Sequence, residues 1–177
     1  MPAMRIPALL ALTLAFTALA SAESPQMVAP ALIPGYVVVR PGVASAGQPS
    51  AEGLRQLKAL GFKTVVNLRT PSEGAPPEEE EIVRGQGLGY VSVPITAASV
   101  TSKDLETIQA VLDDPVAEPV LLHCASGNRT GGIWAAVLAR KGRSREEAET
   151  EGRKAGLKSP EMVEAFRRLA AEKKPAP

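Results

Sequence analysis

One segment constrains the fold of this chain more than any other. His123–Gly131 (HCASGNRTG) contains the only cysteine and the only histidine of the 177 residues. An apolar run, Pro119–Leu122, precedes this segment, and a second apolar run, Ile133–Leu138, follows it. This order predicts a buried strand, a tight loop that contains glycine, and a buried helix.

The predicted loop has the chemistry of an anion site. Its backbone N–H groups would point inward at the positive end of a helix dipole, which favours bound anions. Cys124 at the start of the loop would be favoured as a thiolate, and Arg129 at its end offers a planar fork for a tetrahedral oxyanion. A nucleophile, an anion cradle and a cationic clamp therefore follow one another within a short stretch.

Two plainer interpretations stand beside this one. Cys124 could be an inert buried cysteine at a strand end, and Arg129 could be an ordinary surface arginine. Since Cys124 is the only cysteine, it has no internal disulfide partner. A lone thiol in an oxidising compartment needs burial or a use, and the spacing of Gly127 and Arg129 after it favours a use.

Several classes of partner and cofactor are not expected. His123 and Cys124 are adjacent, and no other His or Cys is available to complete a tetrahedral metal site, so we expect no metal and no cofactor. The chain has 20 basic and 19 acidic residues in a mixed pattern, and only 3% of its residues are aromatic. We therefore expect no nucleic-acid partner.

The N-terminus predicts export. Arg5 is followed by the apolar run Ile6–Ala20, and Ala20–Ala22 fits the small-residue cleavage rule. Residues 1–22 are therefore predicted to be a signal peptide; an uncleaved anchor is the alternative, although the run is short for a bilayer span. We expect a periplasmic or secreted protein that does not associate with a membrane after signal removal.

The remaining chain suits a single α/β domain. Residues 23–35 contain three prolines and predict an extended arm, residues 36–172 the domain, and residues 173–177 a flexible tail. Alternating strand and helix patterns predict a small, mainly parallel sheet flanked by helices on both faces. The predicted strands are Tyr36–Val39, Thr64–Leu68, Tyr90–Val93 and Val120–His123.

The motifs resemble a known family. His-Cys at the front and Arg-Thr-Gly at the back of the loop are similar to the active-site loop of the protein tyrosine and dual-specificity phosphatases. That family usually has five residues between Cys and Arg, whereas Cys124 and Arg129 enclose four. The shorter spacing occurs in rhodanese-type sulfurtransferases and in a bacterial branch of phosphatase-like domains, some of them fused to beta-lactamase-like hydrolases.

The bacterial branch is matched elsewhere in the chain. Its members tend to carry a GQPS segment, matched by Gly47–Ser50, and a segment ending in NLR, matched by Gly61–Arg69. An acidic residue follows in that branch, and here it is Glu73. The resemblance implies a phosphatase-like fold for residues 36–172.

The resemblance also implies an activity and a set of site residues. The implied activity is that of a cysteine-dependent phosphatase, which hydrolyses phosphomonoesters of proteins or small molecules through a phosphocysteine intermediate. Cys124 would be the nucleophile and Arg129 the clamp on the phosphoryl oxygens, while His123 would order the loop by hydrogen bonds. The expected substrate-binding residues of the loop are Ala125, Ser126, Gly127, Asn128 and Thr130. Thr130 resembles the hydroxyl residue that stabilises the thiolate, and helix capping is its alternative role.

A general acid is harder to place. The family carries an Asp on the loop that corresponds to Pro94–Ser99, and this loop contains no carboxylate. Asp104 and Glu73 are the candidates. Helix capping is the alternative for Asp104, and an ion pair with Arg69 or simple solvation is the alternative for Glu73. Without an acid, only leaving groups of low pKa should depart quickly.

Two further functions stay open from the residues. The short loop encloses a smaller anion site, which favours a rhodanese-type sulfurtransferase that carries sulfur as a Cys124 persulfide. The missing acid leaves room for a domain that binds an oxyanion without turnover. The Thr-Gly after Arg129 and the GQPS and NLR segments favour the phosphatase.

Overall fold

A computed structural model describes residues 31–74, 76 and 78–172. In this part of the chain five strands alternate with six α-helices. The strands are β1 (Val37–Arg40), β2 (Val43–Ala46), β3 (Thr64–Asn67), β4 (Gly89–Ser92) and β5 (Val120–His123). The helices are α1 (Ala51–Gln56), α2 (Glu79–Gly85), α3 (Ser102–Leu112), α4 (Asn128–Arg140), α5 (Arg145–Lys154) and α6 (Pro160–Ala171).

The strands form one mixed sheet in the order β1-β2-β5-β3-β4. The pairs β2–β5, β5–β3 and β3–β4 are parallel, and only β1 runs antiparallel to its neighbour. The predicted α/β class and mainly parallel sheet are therefore confirmed. The strand β2 was not predicted; it lies between β1 and β5 and is buried along its whole length.

Helices cover both faces of the sheet, as parallel strands require. One core lies between the sheet and α3–α6, and its central members include Leu122, Ile133 and Phe166. The second core lies under α1 and α2 and includes Leu54, Phe62 and Val83. Trp134, at 5% exposure, belongs to the first core.

Three parallel strands end at the same edge of the sheet. His123, the last residue of β5, stands in register with Ala46 of β2 and with Asn67 of β3. The residues that follow these strands are therefore brought together, as expected at the carboxyl ends of a parallel sheet. Cys124, Gly47 and Arg69 lie at or next to this edge.

The last five residues of the predicted N-terminal arm are among the described residues. Residues 31–35 form turns rather than an extended arm, and Ile33 is completely buried in the core under α1 and α2. The predicted signal peptide and tail lie outside the described residues. Within the described residues, no helix is long and apolar enough to cross a membrane.

Candidate active site

Cys124 lies where β5 gives way to the loop. Its backbone N–H donates to the carbonyl of Ala46 at 3.3 Å, which extends the pairing of β5 with β2 by one residue. The residue is only 1% exposed, and its Sγ accepts a hydrogen bond from the backbone N–H of Gly127 at 3.2 Å. This amide contact is one that a negatively charged sulfur accepts well.

The loop from Ala125 to Gly127 leads directly into α4. Gly127 is the N-cap residue and has φ +87°, a backbone conformation that glycine adopts without strain. The first N–H groups of α4 have no partner within the helix, so they are available at its positive end. These N–H groups are the ones that would form the predicted anion cradle.

The side chains of the loop residues differ in their surroundings. Ala125 and Ser126 are exposed. The Asn128 side chain is tied to the start of α6: its Oδ1 accepts from the N–H groups of Lys158 at 2.7 Å and Ser159 at 3.0 Å. Asn128 can therefore offer its backbone N–H to an anion, while its amide side chain braces the loop.

Arg129 lies beside Cys124 and is held by acceptors on one edge of its guanidinium. Nη1 donates to Glu73 at 2.7 Å and to the carbonyls of Ile95 at 2.9 Å and Leu68 at 3.1 Å, and Nη2 donates to the other Glu73 oxygen. Burial lowers the pKa of Arg129, but the hydrogen bond with Glu73 and the nearby Cys124 outweigh it, so this pKa is raised. A permanent, oriented cation therefore stands beside the thiol.

Glu73 is an ion-pair partner of Arg129, so the prediction that Glu73 is a possible general acid is corrected. Its hydrogen bond with Arg129, opposed by partial burial and aided by Thr70, lowers the pKa of Glu73 to about 2. A carboxylate that is ionised at neutral pH has no proton to give. The alternative predicted from the sequence, an ion pair with Arg69, is also wrong, because Arg69 donates to the backbone carbonyl of Glu73.

Asp104 is a helix cap, which corrects the second general-acid candidate. Its carboxylate accepts from the Thr101 N–H at 2.9 Å and from the Thr101 hydroxyl at 2.6 Å, and Thr101 accepts in return from the Asp104 N–H. These contacts form the capping box that begins α3. The capping alternative from the sequence is the role that the contacts support.

Thr130 is not placed to touch a substrate. The residue is completely buried, its hydroxyl donates to the Gly127 carbonyl at 2.7 Å, and it contacts the Ser45 hydroxyl at 2.7 Å. Ser45 also bonds the carbonyl of Ala155, the residue that ends α5. Thr130 therefore fixes the first turn of α4 against β2, and its predicted place among the substrate-binding residues is corrected.

The hydrogen bond of His123 goes to Glu79 of α2, and the ordering of the loop by this histidine stays a prediction. His123 and Glu79 are 0% and 1% exposed, and Nε2 of the ring lies 3.0 Å from Oε1 of the carboxylate. Glu79 belongs to an acidic run at the start of α2, and it is buried whereas Glu80 and Glu81 are exposed. Its i,i+4 relation to buried Val83 is the sequence signal that could have placed it on the inner face.

Glu79 is the centre of a polar network that the sequence analysis missed. Oε1 accepts from Asn67 at 2.9 Å and from the Tyr90 hydroxyl at 3.0 Å, and Oε2 accepts from Gln48 at 2.6 Å. Burial raises the pKa of Glu79, but the contact with His123 and the hydrogen bonds from Gln48 and Tyr90 lower it by more, so the net shift is downward. An ionised carboxylate is therefore buried directly behind the strand end that carries Cys124.

Among the described residues, no cluster of three or more His, Cys, Asp or Glu side chains could hold a metal ion. The groups that surround Cys124 are suited to binding an anion.

The chain is similar to curated beta-lactamase hydrolase-like proteins. It is 28% identical over 135 residues to the one from Xylella fastidiosa (strain Temecula1 / ATCC 700964), and the aligned region covers 73% of this chain and 31% of the relative. It is 29% identical over 117 residues to that of Agrobacterium fabrum, which covers 63% of this chain and 27% of the relative. The chain thus spans less than a third of the length of these relatives.

Solved structures of phosphatases share the fold. Tk-PTP in its active form has a TM-score of 0.67 at 25% identity over 77% of this chain and 97% of the other. The core catalytic domain of the PP-IP phosphatase SIW14 from S. cerevisiae, in complex with citrate, has a TM-score of 0.64 at 19% identity, with 77% and 84% covered. TpbA from P. aeruginosa, in complex with pTyr, has a TM-score of 0.62 at 20% identity, with 84% and 88% covered.

A family model gives the assignment. The model of the DSP-PTPase phosphatase fused to NAD+ kinase (PTP-NADK) matches residues 41–174, which include every strand except β1 and the whole Cys124–Arg129 loop. The chain therefore belongs to this DSP-PTPase phosphatase family, and it is a hydrolase of the protein tyrosine phosphatase-like type.

Proposed function

We propose that this protein is a periplasmic cysteine-dependent phosphatase that hydrolyses phosphomonoesters through a phosphocysteine intermediate. One arrangement carries the proposal. The Gly127 amide donates to Cys124 Sγ at 3.2 Å, and the guanidinium of Arg129 is held beside the same sulfur. A sulfur nucleophile with an anion cradle and a fixed cation is what phosphoryl transfer requires.

In the first step the Cys124 thiolate attacks phosphorus. A sulfur–phosphorus bond forms, the bond from phosphorus to the ester oxygen breaks, and the leaving group departs as an alkoxide or a phenoxide that takes up a proton from solvent water. In the second step water attacks phosphorus, the sulfur–phosphorus bond breaks, and inorganic phosphate leaves with the thiolate restored. Both transition states place negative charge on the phosphoryl oxygens, where backbone N–H groups and Arg129 stabilise it.

The edge of Arg129 that faces away from Glu73 is the one we assign to the substrate. Glu73 and the carbonyls of Leu68 and Ile95 accept hydrogen bonds from Nη1 and Nη2. Nε and the remaining Nη2 hydrogen are left to form a two-pronged contact with phosphoryl oxygens. Glu73 is thus a positioning residue for Arg129.

The leaving group must depart with little help from the protein. The loop Pro94–Ser99 touches Arg129 through the Ile95 carbonyl, and it contains no ionisable side chain. With Glu73 ionised and Asp104 capping α3, neither candidate carboxyl is placed to donate a proton. Aryl esters and anhydrides, whose leaving groups have low pKa, are therefore the substrates we expect to react fastest.

The substrate and the location are parts of the same proposal. A phosphorylated protein or small molecule is the expected substrate class, since the family is one of phosphatases. Arg5, the apolar run Ile6–Ala20 and the cleavage pattern Ala20–Ala22 support export to the periplasm or beyond.

The test is hydrolysis of a series of aryl phosphates with leaving groups of increasing pKa, measured with the wild-type protein and with Cys124→Ser. We expect turnover that is lost in Cys124→Ser, because a serine hydroxyl is a far weaker nucleophile at neutral pH. We also expect kcat/KM to fall steeply as the leaving-group pKa rises.

Turnover that persists in Cys124→Ser would overturn the mechanism. No turnover with any ester, together with tight binding of inorganic phosphate, would favour the oxyanion-binding alternative. Cyanide-dependent thiocyanate formation from thiosulfate would instead favour the rhodanese alternative.

A further inference from the structure

Gln48, from the GQPS segment, touches both sides of the candidate active site. Its Nε2 donates to Oε2 of Glu79 at 2.6 Å, and its Oε1 accepts from Nη1 of Arg69 at 2.5 Å. Its backbone N–H donates to the carbonyl of Ala125 in the anion loop at 3.2 Å. One half-buried side chain therefore joins the buried carboxylate to the arginine that follows β3.

The chemistry of the neighbours fixes the orientation of this amide. Glu79 is ionised and can only accept, whereas Arg69 can only donate. Only an amide with its NH2 toward Glu79 and its oxygen toward Arg69 satisfies both. A carboxylate at this position would lack the donor, and an apolar side chain would lack both groups.

The two contacts lead to the two reacting groups. On one side Glu79 bonds His123, the residue before Cys124. On the other side Arg69 donates to the backbone carbonyl of Glu73, whose carboxylate pairs with Arg129. Gln48 therefore connects Glu79, on the side of the nucleophile, with Arg69, on the side of the Arg129 clamp.

We propose that Gln48 is a positioning residue, which sets the placement of Arg129 relative to Cys124 by bridging Glu79 and Arg69. The inference rests on the proposed phosphatase function for its activity readout. It also has a readout that does not need turnover, which is the affinity for inorganic phosphate.

Gln48→Glu gives a signature that a purely space-filling role would not. A protonated carboxyl can donate to Glu79 and accept from Arg69, as the amide does. After it ionises, it faces the Glu79 carboxylate at hydrogen-bond distance, and the two repel. The charged and titratable groups around it are Glu79 from α2, Arg69 after β3, His123 from β5 and Tyr90 from β4.

We therefore expect the ratio of variant to wild-type kcat/KM to depend on pH. From about pH 5.5 to about pH 8 it should fall by about tenfold or more, because a hydrogen bond to a charged group is replaced by repulsion. The ratio of the affinities for inorganic phosphate should fall in parallel. Gln48→Met, which removes both contacts without adding charge, should lower both quantities at every pH.

Gln56→Glu is the matched control. Gln56 also donates to a carboxylate, that of Glu52 at 2.6 Å, but it does so on the exposed face of α1. This variant should keep wild-type kcat/KM across the pH range. Circular dichroism and thermal unfolding of each variant separate loss of fold from loss of positioning.

A pH-independent ratio in Gln48→Glu, or wild-type kcat/KM and phosphate affinity in folded Gln48→Met, would overturn this inference. Absence of turnover in the wild-type protein would instead count against the proposed phosphatase. In that case the phosphate affinities alone decide the role of Gln48, with the same expected and contrary results.

Discussion

Two carboxylates support the reacting residues of the site. Glu73 pairs with Arg129 directly, and Glu79 pairs with His123, the residue that precedes Cys124. Both carboxyls have lowered pKa values. The pKa of Glu73 is lowered to about 2, and the first cause is its hydrogen bond with Arg129. At the scale of single residues, acidic side chains in this site serve as anionic supports.

Glu73→Gln tests the role of Glu73. We expect kcat/KM to fall about tenfold or more, because the charge-assisted hydrogen bonds that orient Arg129 are weakened. The alkaline limb of the pH–rate profile should stay at the same pH, since Glu73 is ionised throughout that range. Loss of the alkaline limb in Glu73→Gln would show that Glu73 is the general acid after all. Glu161→Gln, on the exposed start of α6, serves as the control.

Single residues differed in how far the sequence could place them. Cys124 and Arg129 could be identified because one short segment contains both, and their neighbours are local. The partners of Arg129 come from two connections, Leu68 and Glu73 between β3 and α2 and Ile95 between β4 and α3, so their meeting depends on tertiary structure. No local pattern carries that information.

At the scale of elements, the anion loop depends on one backbone conformation. Gly127 has φ +87°, and the nearest atom to a Cβ built there lies 3.8 Å away. The position therefore has room for a methyl group, and the constraint is conformational.

Gly127→Ala should therefore lower the free energy of unfolding by about 1–2 kcal/mol, the cost of a left-handed conformation for an L-residue. It should lower phosphatase activity more strongly, because the Gly127 N–H that reaches Cys124 would turn. Chemical denaturation and kinetics on one preparation measure both. Unchanged activity in this variant would mean that the loop conformation is not required.

A change in the capping box of α3 is expected to lower stability without lowering activity, unlike the change at Gly127. Asp104→Ala removes the carboxylate that bonds Thr101 and should lower the free energy of unfolding by about 1 kcal/mol. Because Asp104 caps a helix, kcat/KM and its pH profile should stay as in the wild type. A selective loss of activity toward poor leaving groups would restore Asp104 as the general acid.

The missed strand has a physical explanation. β2 consists of Val-Ala-Ser-Ala, and small residues carry little strand propensity and no alternating pattern. The strand is specified by its neighbours β1 and β5 and by the tight space around it. Ser45, for example, reaches Thr130 at the start of α4. The strands β3 (Thr-Val-Val-Asn) and β5 (Val-Leu-Leu-His) are no longer than β2, but their larger apolar residues made them visible in the sequence.

At the scale of the whole molecule, the Glu79 network ties the sheet together. It joins α2, β3, β4, β5 and the GQPS segment through one buried carboxylate. Because several donors converge on this single anion, the stability of the fold depends on the ionisation of Glu79.

The network predicts an acid-sensitive fold. The folded-state pKa of Glu79 lies below its ordinary value of 4.5, so its contribution is complete above that pH and is lost as the pH falls through the lowered pKa. Glu79→Gln should lower the free energy of unfolding by about 2 kcal/mol near neutral pH. The difference from the wild type should shrink in acid; a difference that is constant with pH, in denaturation curves, would contradict this account.

The central claim is that Cys124 forms a covalent bond to phosphorus, and rapid quenching with denaturant at alkaline pH, where a sulfur–phosphorus bond survives, tests it most directly. The wild-type protein is mixed with p-nitrophenyl phosphate, quenched during turnover and examined by mass spectrometry of its peptides. The account predicts one phosphoryl group on the peptide that contains Cys124, and none in Cys124→Ser. Turnover without a phosphorylated Cys124 peptide, in samples quenched while nitrophenol is still released, would contradict it.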